Sequence, residues 1–456
     1  MRPLALWLAG LAACGTALDS TPQPVTWYQD VAPIAARHCM GCHAPGGIAP
    51  FELTSYDAAA PNAERMLAAV EAGVMPPFDA REEPACTPRF GWVDDPRLAD
   101  GERAALAQWI ADGVPAGEPA PLPEIPSTEL AGVTRTLAAS VPFTASGTRD
   151  QFMCYLLDPQ VTATTWLTGL QVRPSNPQVV HHVVVSELVP GAALDALVAE
   201  HGIGAPWACG PGGAASVPGL VINVWTPGNQ PFQTPSELAI PVVSGAKIAL
   251  AIHYHPAGVT AAPDATALDL RESATWPQKA YFVGGFGNAS AAPDLLIDPD
   301  DRVAGTPEFR IPANAPTHAE HMRFSVQLPY NLAEVKIYMV DPHMHLVGTH
   351  IAATVERAAP RDGEPRTECL ANGQWNFDWQ RSYVYDAPLD QLPSLRPGDV
   401  VDIGCTWDNT LANPFVQRAL ADAGLGAPVD IGLGNNSLDE MCLEFFGYVI
   451  DAPPPP

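Results

Sequence analysis

Val179-Val180-His181-His182-Val183-Val184-Val185 is a β-branched run interrupted by two adjacent imidazoles. Branching at Cβ suits the pleated backbone of a strand, and the run is too short for an ordinary helix. It predicts a strand with ligand-type side chains in its middle. Working outward, residues 247–253, 324–328, 335–340, 400–405 and 442–450 share the texture: short, apolar and bounded by Pro, Gly, Asn or Asp. Runs of this kind read as strands of sandwiches. Residues 192–201 read as a short helix. Proline- and aspartate-rich text over 292–316 divides this half of the chain into two β units.

The whole chain agrees with that texture. Fifty prolines and 37 glycines argue against long helices, because proline removes a backbone donor and glycine raises the entropic cost of ordering. A length of 456 residues suggests roughly three domains. A composition 47% hydrophobic and 16% charged describes a globular protein and excludes a multi-pass membrane protein. The net charge is −27 and Lys247, Lys279 and Lys336 are the only lysines, so phosphate backbones are repelled and nucleic acid is excluded as a partner.

Arg2 precedes an apolar run over residues 4–13, a signal-peptide pattern too short to span a bilayer. Leu11-Ala12-Ala13-Cys14 resembles the bacterial lipobox, which leaves a lipidated Cys14 as the first mature residue; the alternative is an ordinary secretory signal with an incidental cysteine. Either way the mature chain is exported to an oxidising compartment, the bacterial periplasm or cell surface. The expected divisions are 1–13 signal peptide, 14–26 tether, 27–116 small α domain and 117–131 proline-rich linker. Within 27–116, residues 28–37, 58–72 and 100–113 have helical spacing, the last with Ala104, Leu106, Trp109 and Ile110. The tail 453–456 reads as disordered.

Cys39-Met-Gly-Cys42-His43 places two thiols and an imidazole on one local turn, as covalent haem c requires. A zinc or redox C-x-x-C is the alternative. Met75, in Gly73-Val-Met75-Pro-Pro, is the candidate sixth iron ligand, a soft thioether before two prolines; a core methionine is the competing reading. His38 is too close to His43 to reach the opposite haem face. The segment resembles a class I-like cytochrome c domain.

Ligand-type residues recur on the strand-like runs: His181-His182, His253-Tyr-His255, His343-Met-His345, and Met441 beside Cys442. Imidazole with thioether suits an ion cycling between Cu(I) and Cu(II). Residues i and i+2 of a strand share a face, so H-x-H can offer two imidazoles to one ion. Adjacent histidines cannot do so on a regular strand, which implies a bulge at His181-His182.

In this order the set resembles the copper type II, ascorbate-dependent monooxygenases, the family of peptidylglycine α-hydroxylating and dopamine β-monooxygenases. The resemblance covers residues 130–450 and implies two jelly-roll-like β domains, each with one copper. These would be a first copper β domain over 132–290 and a second over 291–451. The expected fold class is therefore a small all-α cytochrome c-like domain followed by two all-β jelly-roll-like sandwich domains. Carried over, His181, His182 and His253 would hold an electron-storing copper; His343, His345 and Met441 would hold the catalytic copper, where O2 is used to hydroxylate a C–H bond. The resemblance also implies a disulfide between Cys405 and Cys442, and leaves His255 as a supporting or surface histidine.

Cys86, Cys154, Cys209 and Cys369 could form two further bridges of undetermined pairing. His201, His318, His321 and His350 default to solvated or hydrogen-bonded roles. Where peptide-hydroxylating members carry an arginine, an asparagine and a tyrosine for a substrate carboxylate, this chain has Asp341, Leu443 and Phe445. A small neutral or cationic, partly apolar substrate is expected instead. The expected cofactors are two copper ions and one covalent haem c, with electrons from a periplasmic or extracellular donor and membrane contact only through a lipid anchor in the outer membrane. The alternative function is a non-catalytic copper- or haem-binding electron-transfer lipoprotein of the surface.

Overall fold

The computed structural model describes residues 23–45, 47–125, 127, 129–147, 150–209, 219–256, 262–273, 275–288, 294–299, 301–328, 331–434 and 438–452. The signal peptide, Cys14, most of the tether and the tail 453–456 lie outside the described residues.

Three sheets carry the architecture. In the five-stranded sheet, Lys247–Tyr254 lies between Gln151–Leu157 and Val180–Leu188, with Trp207–Ala208 and Leu220–Trp225 at the edges. Lys247–Tyr254 is buried at every position after Lys247, which is why its sequence is continuously apolar. The four-stranded sheet contains His318–Ser325, Val400–Trp407, Gly348–Glu356 and Thr367–Gln374, in that order. Burial along Val400–Trp407 alternates strictly, one face to the core and one outward.

The third sheet has ten strands. It runs from Arg135–Ala138 through Ala267–Ser273, Thr165–Arg173 and Leu238–Val242 to Lys279–Asn288. It then continues into Cys442–Asp451, Val335–His343 and Tyr383–Val384. Lys279–Asn288 pairs with Cys442–Asp451 along its whole length, antiparallel, from Lys279 opposite Asp451 to Asn288 opposite Cys442.

The expected fold class, a small all-α cytochrome c-like domain followed by two jelly-roll-like sandwiches, is corrected by these observations. Strand outweighs helix by 34% to 16%, and among the described residues no sizeable all-α domain is present. The front of the chain forms only short helices, among them Ala32–His38, Tyr56–Ala59, Ala63–Glu71 and Asp100–Ala111, around a small core that includes Trp27, Met40, Leu53, Leu106 and Trp109. Residues 78–93 leave that core. Phe78, Ala80 and Trp92 belong instead to one continuous apolar core that reaches Val449. Prolines and glycines in residues 73–96 prevent a helix there, so the segment's backbone groups bond to the β half: Arg81 N–H donates to Asn372 O at 2.8 Å and Val93 N–H to Val384 O at 2.8 Å. The β half is likewise undivided, because one sheet and one core cross the 292–316 boundary.

Three disulfides, Cys86–Cys369, Cys154–Cys209 and Cys405–Cys442, mark an exported protein of an oxidising environment. Among the described residues no helix is long and apolar enough to cross a membrane.

Candidate metal centres

Val180–Leu188 and Lys247–Tyr254 pair antiparallel, and their register slips between Val180 and His182. The slip is the irregularity that adjacent histidines need to turn toward one point. His182 lies opposite His253, and one ring nitrogen each from His181, His182 and His253 falls within 4.8 Å of the others. His181 Nδ1 and His182 Nδ1 are 3.1 Å apart, an apposition that one shared proton or one bound cation can satisfy.

His253 is only 2% exposed, and its Nδ1 has no hydrogen-bond partner among the described residues. Its Nε2 lies 3.1 Å from Asp150 Oδ2, though without hydrogen-bond alignment, while His255 Nδ1 lies 2.6 Å from Asp150 Oδ1. Asp150 therefore sits behind His253, and His255 braces Asp150. Burial pulls His253 down to about 4 against the opposing pull of Asp150. His182 is depressed well below the usual histidine value, first by burial and then by His253, His181 and His343. Neutral imidazoles keep the lone pair that a metal takes. With three imidazoles and no carboxylate among the converging donors, the set fits copper.

The second set gathers where Val335–His343 ends. His343 is the last strand residue and His345 follows in the loop, with ring centroids 5.5 Å apart. His343 Nδ1 lies 3.0 Å from Gln380 Oε1 and His345 Nδ1 lies 2.8 Å from Asp439 O. Both partners accept, so each Nδ1 carries the proton and each Nε2 is left with a lone pair. Burial, then His345, pulls His343 down to about 3.

Met441 is 7% exposed and precedes Cys442, which is bonded to Cys405 as the resemblance implied. The residue between Asp439 and Met441 does the assembling. Glu440 accepts from His345 N–H at 2.9 Å, Val347 N–H at 2.8 Å, Trp407 Nε1 at 3.0 Å and Met441 N–H at 3.3 Å. One carboxylate thus ties the H-x-H loop to the methionine segment, and two imidazoles and a thioether carried on segments so joined are donor types that suit copper.

One turn reaches both sets. Phe377 stacks on His181 with ring centroids 5.0 Å apart, and Gln380 holds His343. Sequence reasoning missed Asp150, Phe377, Gln380 and Glu440. Only Glu440 offered a signal, its place beside Met441; the others meet their histidines through tertiary packing. Asp341 is 4% exposed, accepts from Ser382 Oγ–H at 3.0 Å, and is pushed up to about 7 by burial. Opposite Asp341 and His343 in the ladder lie Phe445 and Leu443.

At the front of the chain, Cys39 and Cys42 are unbonded to each other. His43 is 9% exposed, with Nδ1 2.9 Å from Phe51 O, which leaves its Nε2 free. Two thiols and an oriented imidazole on one turn fit haem c. His38 is engaged elsewhere, with Nδ1 2.8 Å from Pro96 O. Met75 is 36% exposed in the loop after Ala63–Glu71, outside the small core in which Met40 is buried. His318 pairs with Glu320, His321 with Asp402 and His350 with Asn372, and His201 stacks on Trp207.

No family model matches the chain, and no curated protein matches it. Among solved structures, the major capsid protein P2 of bacteriophage PM2 is similar at 10% identity and a TM-score of 0.24, covering 70% of this chain and 98% of that one. The T13 particle of infectious bursal disease virus is similar at 8% identity and a TM-score of 0.16, covering 70% and 69%. Likeness this distant carries no argument about this chain.

Proposed function

We propose that this chain is an exported copper-dependent monooxygenase of the copper type II kind, supplied with electrons through its own haem c. The observation that carries the reading is the convergence of His181, His182 and His253 within 4.8 Å, with burial holding His182 and His253 below the usual histidine value. The His343, His345 and Met441 set, reached by the same 377–380 turn, supports it.

His181, His182 and His253 would hold a copper that stores one electron, His343, His345 and Met441 one that activates O2, and Cys39, Cys42 and His43, with Met75 as a further candidate ligand, would hold a haem c that supplies electrons. The overall reaction, R–H + O2 + 2e⁻ + 2H⁺ giving R–OH + H2O, balances with two single-electron deliveries. The residues hold and orient. Asp150 lies behind the His253 ring, Gln380 and Asp439 O fix the proton on Nδ1 of His343 and His345, and Glu440 fixes the loop bearing His345 and Met441. Phe445 and Leu443 beside His343 favour a small, partly apolar substrate without a carboxylate. Cys14 would anchor the mature chain to the outer membrane.

The test is O2 consumption by the copper-loaded, haem-bearing chain with small apolar amines and alcohols, under labelled O2. Label in a hydroxylated product, lost in His343→Ala, is the expected result. Copper and haem binding without labelled product across that panel favours a non-catalytic electron carrier.

A further inference from the structure

The turn that reaches both histidine sets also reaches the front of the chain. Asn376 caps it, its side chain accepting from Asp378 N–H, and Phe377–Trp379 forms a single helical turn that holds the next residues at a fixed pitch. Phe377 lies against His181, Gln380 against His343, and Arg381 comes next. The Arg381 Nη1 donates to Pro77 O at 3.3 Å, and its guanidinium carbon lies 5.3 Å from the centroid of Phe78. Pro77 and Phe78 lie two and three residues after Met75. Cys42 also faces the β half: a Cβ on Gly228 would sit 3.9 Å from Cys42 Sγ, and the Arg381 charge acts on the Cys42 thiol.

Arg381 differs from the other cations here. Arg97, over the same Phe78 ring at 4.8 Å, is neutralised by Glu82 and Asp95 at 2.8 and 2.5 Å. Arg81 faces Asp79 at 3.9 Å. Arg381 meets no carboxylate within 4.0 Å among the described residues, although the chain carries 50 acidic residues against 23 basic ones. A half-buried guanidinium loses hydration, and one that feels Asp79, Asp94 and Asp95 only beyond ion-pair distance keeps donors for a closer anion. Burial lowers the guanidinium's pKa, and Tyr383, Asp94 and Asp95 pull it the other way from a greater distance than an ion pair.

We propose that Arg381 is the positioning residue of the haem site, offered from the β half so that its guanidinium pairs with a carboxylate of the haem carried on Cys39 and Cys42. The inference rests on the haem reading above. It makes the 376–381 turn the segment that joins all three redox sites, one peptide bond separating the residue that holds the haem edge from the residue that holds His343. A fixed cation beside haem disfavours the ferric state and raises the potential.

The experiment is spectroelectrochemical titration of full-length holoprotein, with covalent haem scored by the pyridine haemochrome spectrum. Arg381→Gln, or Arg381→Met if the first does not fold, should lower the ferrous-to-ferric ratio at fixed poise about tenfold, which is 59 mV for a one-electron couple. Arg381→Lys should restore most of the shift, and Arg97→Gln should leave the potential near wild type. An unmoved potential in the neutral variants of a haem-bearing protein overturns this inference alone. Wild-type protein without covalent haem overturns the haem reading and this inference with it.

Discussion

Glu440→Gln should separate the second metal set from the rest of the protein. The carboxylate takes Val347 N–H on Oε1, and His345 N–H, Trp407 Nε1 and Met441 N–H on Oε2. Glutamine keeps one acceptor oxygen, so the three donors at Oε2 can be retained only by turning an NH2 group toward Val347 N–H. One charge-assisted hydrogen bond is lost, worth about 1.5–3 kcal/mol, and a buried N–H is left facing a donor at about 1–3 kcal/mol more. The expected cost is about 3–5 kcal/mol of unfolding free energy in urea. Because Glu440 also positions the loop bearing His345 and the chain bearing Met441, copper affinity at that set should fall about 10- to 100-fold, with the His181 set unaffected. Equilibrium unfolding and copper titration followed by electron paramagnetic resonance read the two effects. An E440Q protein with wild-type copper affinity at both sets would refute the claim that this carboxylate assembles the second one.

Asp150→Ala should weaken copper at the first set by about 10- to 100-fold, read by competition with a chelator, because it removes the group behind His253. The Cys86–Cys369 bond closes a loop of separation 283, so the double alanine variant should lose roughly 6 kcal/mol by chain-entropy arithmetic, with residues 78–93 becoming the first site of limited proteolysis. Burial pushes the Asp79 carboxyl up to about 6 against its neighbours Arg81 and Arg381. The folded form therefore binds the proton more tightly than the unfolded chain. The associated stability is full below the ordinary aspartate value near pH 4 and is lost as pH rises to about 6, up to about 3 kcal/mol. Asp79→Asn should flatten the dependence of the melting temperature on pH across that window; an unchanged slope contradicts the assignment.

The strands were the most legible part of the sequence. Residues 247–253 and 400–405 mark Lys247–Tyr254 and Val400–Trp407 to within two residues, and 192–201 is the helix Ala192–His201. The apolar run at 324–328 misled: only its first residues belong to a strand, His318–Ser325, whose polar outer face hides it from hydropathy. Strand partners were not legible. Alternation shows which face is buried but not against what, so the pairing of Lys279–Asn288 with Cys442–Asp451 joined two expected sandwiches into one body. The helical spacing over 58–72 likewise hid a break at Ala60–Asn62, where Pro61 leaves a short 3-10 turn. Among the candidate ligands the histidines announced themselves by spacing, and the slip at His182 follows from their adjacency. Asp150 and Gln380 did not, because they lie far along the chain from the rings they hold and meet them only after folding.

The most direct test is the copper content of full-length protein, reconstituted and freed of loosely held metal, measured by mass spectrometry of the metal against protein concentration. The account predicts two coppers per chain, falling to one in His253→Ala and to one in His343→Ala. One copper or none in the wild-type protein, or two retained in either variant, would contradict it.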